Sequence, residues 1–202
     1  EHTFYFRSGS SLETNSAIAD VRDGSAEIWA PAKNPIAAQG EIAKVLGLPV
    51  SAVTFHVVQG GGSFGRKLFF DGALEAAEIS QKMGKPVKLM WHRADDSRVG
   101  RVHPLCTSRI RAVVDGDRVV SFEQRHTSVS SEINPGLGEP ITAAAIKVPL
   151  GNLAFSAAVF ELTQVNPYNF GVNTRLLNEV NMDFNTQSTR NIYSPDVTAA
   201  RE

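Results

Sequence analysis

Val53-Thr54-Phe55-His56-Val57-Val58-Gln59-Gly60-Gly61-Gly62-Ser63-Phe64-Gly65-Arg66-Lys67 takes the chain from a strand-like run, Val53 to Val58, through a glycine loop toward a helical pattern. Glycine permits tight turns and a close approach of backbone to ligand. Free N–H groups and the positive end of a following helix would favour an anion such as phosphate. A plain strand-to-helix turn accounts for one or two glycines. Four in the six positions from Gly60 to Gly65, with two cations straight after, point to a ligand.

Residues alone leave more than one anion loop to consider. A P-loop needs Lys followed by Ser or Thr after its last glycine, where this chain has Arg66 and Lys67, so it fails on chemistry. A dinucleotide fingerprint is met in form by Gly60, Gly62 and Gly65. The ribose-binding acid it requires about 20 residues on is replaced by Pro86 to Trp91, and acids wait until Asp95 and Asp96. A self-contained nucleotide-binding module of a dehydrogenase, using Gly60 to Gly65, stays open as the alternative.

Working outward, Ser16 to Val21 and Ala26 to Trp29 flank Asp23-Gly24, a dipeptide suited to a tight hairpin. Asn34 or Lys33 leads into a helix with Pro35 in its first turn and Ala38, Ile42, Val45 and Leu46 on one face. Gly47 and Pro49 stop it. After the loop a helix is expected from about Phe70 to Met83, with Phe70, Ala73, Leu74 and Ala77 toward the core, then a strand from Val87 to Trp91.

In the second half, Arg109 to Val114 and Arg118 to Phe122 flank Asp115-Gly116 as another hairpin. The alternation of Val180, Met182 and Phe184 predicts a half-buried strand, and Asn134 to Gly138 and Asn166 to Asn173 read as irregular connections. Ser194, Pro195 and Asp196 read as N-cap, first helical position and first-turn acid of a terminal helix. The expected class is α+β: a β-hairpin-α-β-α-β lobe over residues 1–100, then a mostly β, loop-rich portion over 101–202, with the change near 97–107.

Composition narrows the function classes. The 202 residues carry 20 Lys and Arg against 21 Asp and Glu, a net charge of -1, and no long basic cluster, which argues against a nucleic-acid binder. With the single Cys106, the chain cannot form an internal disulfide or a Cys-rich iron-sulfur or zinc site. Cys106 reads as a small buried residue. His92, Asp95, Asp96 and His103 lack ligand spacing and read as a loop network, not a metal centre. Ser63 lies outside a nucleophile-elbow pattern, so its hydroxyl is expected to cap the next turn or touch a cofactor.

Gly61-Gly62-Ser63-Phe64-Gly65-Arg66 resembles the Gly-Gly-x-Phe-Gly cofactor loop of the molybdenum hydroxylases, the xanthine dehydrogenase and aldehyde oxidase family. The Arg66-Lys67 ending is similar to its isoquinoline 1-oxidoreductase and membrane-bound aldehyde dehydrogenase branch. The likeness continues in order through Glu27-Ile28-Trp29-Ala30-Pro31, Asn34-Pro35, Val45-Leu46-Gly47-Leu48-Pro49, Glu75-Ala76-Ala77, Gly84-Lys85-Pro86-Val87, Trp91, Arg93, Asp95-Asp96 and His103-Pro104. Past residue 125 it is looser, centred on Arg190-Asn191-Ile192.

The resemblance implies a portion of a large subunit that oxidises an aldehyde or hydroxylates an N-heterocycle with water as oxygen source. It implies molybdenum on a pyranopterin, as molybdopterin cytosine dinucleotide, in the complete enzyme and absent from the chain alone. Gly61, Gly62, Ser63, Phe64, Gly65, Arg66 and Arg190 would bind that cofactor. No residue matches the family's catalytic glutamate, and no side chain is expected as a metal ligand. Implied partners are the rest of the large subunit, a small [2Fe-2S] subunit, a cytochrome c acceptor and a small-molecule substrate. The implied location is the periplasm or the periplasmic face of the membrane, and the 202-residue chain alone is expected to be inactive.

Overall fold

The computed structural model describes residues 1–136 and 139–202. Its elements in chain order are β1 (His2–Phe4), β2 (Ser16–Arg22), β3 (Ser25–Ala30), α1 (Pro35–Leu46), β4 (Val53–Val57), α2 (Asp71–Met83), β5 (Val87–Met90) and α3 (Arg93–Arg98). There follow β6 (Cys106–Asp115), β7 (Arg118–Val129), α4 (Pro140–Ile146), α5 (Gly151–Thr163), β8 (Val172–Val180) and α6 (Ser194–Arg201). The α+β class read from the sequence holds: the strands form two four-stranded mixed sheets, ordered β4-β3-β2-β5 and β1-β6-β7-β8.

The first sheet is built on the expected hairpin, with Ile18 opposite Trp29 and Arg22 opposite Ser25 across Asp23-Gly24. Alternation sends Ala17, Ala19, Val21, Ala26, Ile28, Ala30 and Val53 to one face, which α1 and α2 cover through Ile42, Ala43, Leu46, Ala73, Ala76 and Ala77. The many alanines let helix and sheet backbones approach closely, while Ile28 and Ile42, fully buried, each contribute about 2 kcal/mol of apolar burial. Asn34 accepts the Ala37 N–H at the start of α1, and Gly47, at φ 71°, ends it. Buried Ser80 satisfies two strand ends, accepting from Val21 N at 3.0 Å and donating to Lys85 O at 2.7 Å.

The second sheet starts from the Asp115-Gly116 hairpin, longer than expected and irregular between Val113 and Val114. β8 lies parallel to β7, and a parallel neighbour requires a crossover of a dozen or more residues. α4 and α5 supply it, and neither was read from the sequence. Leu153, Phe155, Val159, Phe160 and Leu162 spread apolar side chains around α5 instead of along one stripe, so no amphipathic period marks it.

Three expectations are corrected. The strand expected at Val180 to Phe184 lies earlier, at Val172–Val180, because its register is set by pairing Ser121 to Val129 of β7; it takes in the end of the supposed loop Asn166 to Asn173. Ser194 is the first helical residue of α6, with Tyr193 as N-cap, and its hydroxyl accepts from Asn191 Nδ2 rather than capping the helix. α2, Asp71–Met83, matches the expected helix within a residue, but the glycine loop does not open it directly, because a 3₁₀ turn, Arg66–Leu68, intervenes. The connection expected at Asn134 to Gly138 falls partly outside the described residues.

The N-terminus crosses between the halves, since β1 pairs with β6. Ion pairs join them further. Arg7 meets buried Asp196 at 2.6 Å, the Cys106 thiol donates to the same carboxylate at 3.1 Å, and Arg101 links Asp71 to Glu132 while lying 4.0 Å over the Phe69 ring.

Candidate functional site

β4 runs parallel to β3, with Val57 beside Ala30, and delivers residues 58–65 past the end of the first sheet. Gly62, Phe64 and Gly65 have φ of 104°, 48° and 91°. For Phe64 this is a strained, left-handed backbone of the kind that surrounding structure must enforce. The enforcing contact comes from far along the chain: Arg190 N–H donates to Phe64 O at 2.7 Å, and its guanidinium lies 4.1 Å over the exposed Phe64 ring. Arg190 and Asn191 are themselves left-handed, at 56° and 78°. Two candidates from opposite halves of the sequence are thus brought into direct contact.

The loop is packed on both sides. A Cβ on Gly65 would stand 2.5 Å from Ser188 O, and one on Gly61 would stand 2.7 Å from Glu13 Cβ. Glu13 belongs to a segment, residues 8–13, that runs alongside. Arg190 Nε donates to Gly9 O at 3.1 Å, and Arg93 donates to Ser11 O and Leu12 O at 2.6 and 2.9 Å. Glu13 accepts from Gly61 N at 2.5 Å, Lys67 Nζ at 2.8 Å and Ser16 Oγ at 2.6 Å. Burial would raise its carboxyl, but the Lys67, Ser16 and Gly61 donors outweigh this and hold it below the usual carboxylate range.

The loop's own polar groups divide into used and free. Ser63 caps the 3₁₀ turn, its carbonyl accepting from Arg66 N at 2.9 Å and its hydroxyl from Lys67 N at 3.2 Å. Among the described residues, the main-chain N–H groups of Gly62, Ser63, Phe64 and Gly65 make no hydrogen bond. Successive free N–H groups in such a turn can form an anion-binding concavity. The unpaired donors here are the loop's own amides, and α2 begins only after the 3₁₀ turn, with an acid, Asp71, in its first turn. That also removes the strand-loop-helix geometry a dinucleotide fingerprint needs.

Arg66 takes a different position from the one its place in the loop suggests. Its side chain is buried, with Nη2 2.8 Å from Asp71 Oδ2 and the guanidinium 5.4 Å from the Trp91 ring centre. Burial pulls its pKa below the ordinary arginine value, against the Asp71 carboxylate. None of its three guanidinium nitrogens has a well-aligned acceptor. It therefore supports the loop from beneath, while Arg190 stands on the open side.

The residues considered for a metal go elsewhere. The Asp95 carboxylate accepts from His92 N at 2.7 Å at the start of α3, Asp96 pairs with Arg93 at 2.9 Å, and His103 is buried 3.5 Å from Asp196. Burial lowers the His103 pKa despite that carboxylate. Cys106 is buried and its thiol is pushed far up by burial and by Asp196.

Beside the loop lies a cleft of about 800 Å³ whose walls include Gly65, Ser188, Asn191, Ile133, Phe155 and Leu162. A smaller apolar hollow of about 420 Å³, on the open face of the first sheet near Ile18, Trp29 and Leu89, is not lined by the free amides. Sequence reading missed Glu13, Ser188 and all of α5. Glu13 is 48 residues from Gly61, and no local pattern signals such a partner.

Residues 3–147 match the molybdopterin cofactor-binding domain. The chain is 36% identical over 119 residues to the isoquinoline 1-oxidoreductase subunit beta of Brevundimonas diminuta, covering 57% of this chain and 15% of that protein. It is 34% identical over 99 residues to aldehyde oxidase 3 of Rattus norvegicus, covering 46% and 7%. The quinoline 2-oxidoreductase of Pseudomonas putida 86 shares the fold at a TM-score of 0.64 and 16% identity, over 92% of this chain and 22% of that one. The chain thus spans about a seventh of the first relative's length.

Proposed function

Because the chain belongs to the molybdopterin cofactor-binding domain family, we propose that residues 61–65 and Arg190, with Arg66 bracing the loop from beneath, form one wall of a molybdenum-pyranopterin site in a larger oxidoreductase. The residues present suit that group. Free amides at 62–65 would accept pterin or phosphate oxygens, and the Arg190 guanidinium adds a forked donor at the loop's edge. Gly62 and Gly65 give the loop its shape, since both take positive φ and an added Cβ would press on Ser11 and Phe64 at the first and on Ser188 at the second. The single observation carrying this reading is the loop of free amides held in left-handed turns by Arg190.

When bound, the cofactor supplies the two-electron chemistry that oxidises an aldehyde or hydroxylates an N-heterocycle with water as the oxygen source. This chain's residues bind and orient it. Phe64 packs beside it, Glu13 and Lys67 hold the loop's base, and the buried Arg66 to Asp71 pair fixes where the loop turns back. None of these residues is assigned a proton transfer. The proposal extends to a cytosine dinucleotide form of the cofactor, a separate [2Fe-2S] subunit, a cytochrome c acceptor and a periplasmic location. These finer points rest on likeness to the isoquinoline and aldehyde-oxidising relatives.

Gly62→Val and Gly65→Val in the complete subunit test the site. Folded variants should carry reduced molybdenum and pterin content, since a branched side chain resists positive φ and must displace Ser11 and Phe64 at Gly62 or Ser188 at Gly65, reshaping the loop. Normal cofactor content in correctly folded variants would make the loop a structural turn and sink the proposal.

A further inference from the structure

Resting on that reading, we infer that Asp196 is a positioning residue of the site: through Arg7 and the Gly9 carbonyl it fixes the guanidinium of Arg190. The Asp196 carboxylate meets Arg7 Nη2 at 2.6 Å, the Cys106 thiol at 3.1 Å and His103 Nδ1 at 3.5 Å, and Arg190 is not among these partners. It is buried in the first turn of α6, six residues after Arg190. Burial disfavours protonation of His103, so the cation that balances the carboxylate is Arg7. Leaving a buried carboxylate without a cation is strongly destabilising. The pair is therefore a firm anchor, which a fully exposed one would not be.

The anchor reaches Arg190 through a short piece of main chain. Arg7 O accepts His103 N–H at 2.8 Å, so residue 7 is pinned by its backbone as well as its side chain. Gly9 follows, and its carbonyl accepts Arg190 Nε–H at 3.1 Å. It lies hard against the neighbouring segment, since a Cβ there would stand 2.8 Å from Thr189 Cγ2. Residues 7–9 thus grip residues 190–196 at both ends, Arg190 by a carbonyl and Asp196 by a charge.

Arg190 needs such a grip because it is exposed, and a long exposed side chain otherwise spreads over many rotamers. Its Nε is committed to Gly9 and its planar face to the Phe64 ring, while among the described residues Nη1 and Nη2 make no hydrogen bond. That leaves the terminal fork for pterin or phosphate oxygens, in an orientation set by the Gly9 carbonyl. The 2.7 Å bond from Arg190 N to Phe64 O does not involve Gly9. Loss of the Asp196 charge should therefore loosen the fork and leave the turns of the glycine loop in place.

The complete large subunit is compared as wild type, Asp196→Asn, Arg7→Met, Arg7→Lys and Arg190→Gln, each checked for folding by circular dichroism. In cofactor-free subunit labelled with nitrogen-15 arginine, the Nε–H resonance missing from Arg190→Gln belongs to Arg190, and its exchange with water reports the bond to Gly9. Exchange should quicken about tenfold in Asp196→Asn and Arg7→Met, the effect of losing one hydrogen bond of a charged group. Arg7→Lys keeps a cation for the carboxylate and should stay much closer to wild type. Molybdenum and pterin per folded subunit should fall in Asp196→Asn, and adding that change to Arg190→Gln should lower them no further, because the two residues act in one line. Wild-type Nε–H exchange in folded Asp196→Asn and Arg7→Met, or additive losses of cofactor, overturns the inference. If Asp196→Asn does not fold, the Arg7 variants decide it, at a side chain 34% exposed. Full cofactor content in folded Arg190→Gln would instead refute the cofactor reading at Arg190, and the exchange comparison would still decide the positioning.

Discussion

Replacing Gly65 with alanine tests how the loop and the Arg190 segment hold one another. Gly65 sits at φ 91°, and an added Cβ would lie 2.5 Å from Ser188 O and 3.2 Å from Thr189 Cα, both backbone atoms that cannot swing aside. The left-handed conformation costs alanine about 1–2 kcal/mol. Moving Ser188 away strains the 2.7 Å bond from Arg190 N to Phe64 O, worth about 1 kcal/mol. It also pulls the guanidinium off the Phe64 ring, worth about 0.5–1 kcal/mol at an exposed site. Gly24→Ala is the matched control, because Gly24 has φ 78° and nothing lies within 4 Å of where its methyl would stand. It should incur the conformational cost alone. Urea unfolding of the 202-residue chain should therefore show Gly65→Ala destabilised by about 2 kcal/mol more than Gly24→Ala. Equal losses within about 0.5 kcal/mol would mean that the loop and the 188–190 segment yield freely, and the argument that Arg190 enforces the loop would fail.

Acid should weaken the fold through His126, whose pKa burial lowers from 6.5 to about 4. The unfolded chain takes up a proton first as pH falls below 6.5, so stability is complete above that pH and drains until the folded ring protonates near 4. The shift corresponds to about 3 kcal/mol, and His126→Gln should flatten that limb of the stability curve; an unchanged slope would refute it. Arg66→Ala should destabilise by about 1–3 kcal/mol, because Asp71 loses a charged partner but keeps Arg101. Molybdenum per folded subunit should fall less than in Gly65→Val, and an equal loss would show that Arg66 contacts the cofactor. Ile42→Ala, at a fully buried position against the first sheet, should cost about 2–5 kcal/mol in denaturant unfolding. A loss under about 1 kcal/mol would show that the helix-sheet core repacks.

Local chemistry made much of the first lobe legible. Asp23-Gly24 dictates a hairpin because tight turns need positive φ, and the Asn34, Pro35 and Gly47 signals bound α1 because caps act within a few residues. The loop's glycines were readable for the same reason, and so was the candidacy of residues 61–66. What the sequence could not fix were features set by distant partners. The register of β8 belongs to its pairing with β7, which moved the strand ahead of the alternating Val180, Met182 and Phe184. α5 has apolar residues on several sides, so no period announced it. Arg66 was readable as a cation after a loop, yet only packing turned it inward to Asp71 and Trp91 and left the outer position to Arg190. Sequence by itself determined the two Asp-Gly hairpin turns, the caps of α1 and the glycine loop, since those depend on backbone sterics and neighbouring residues. Tertiary structure alone decided which charges face the loop and which are buried beneath it, because burial and ion pairing are properties of segments that meet only after the chain has folded.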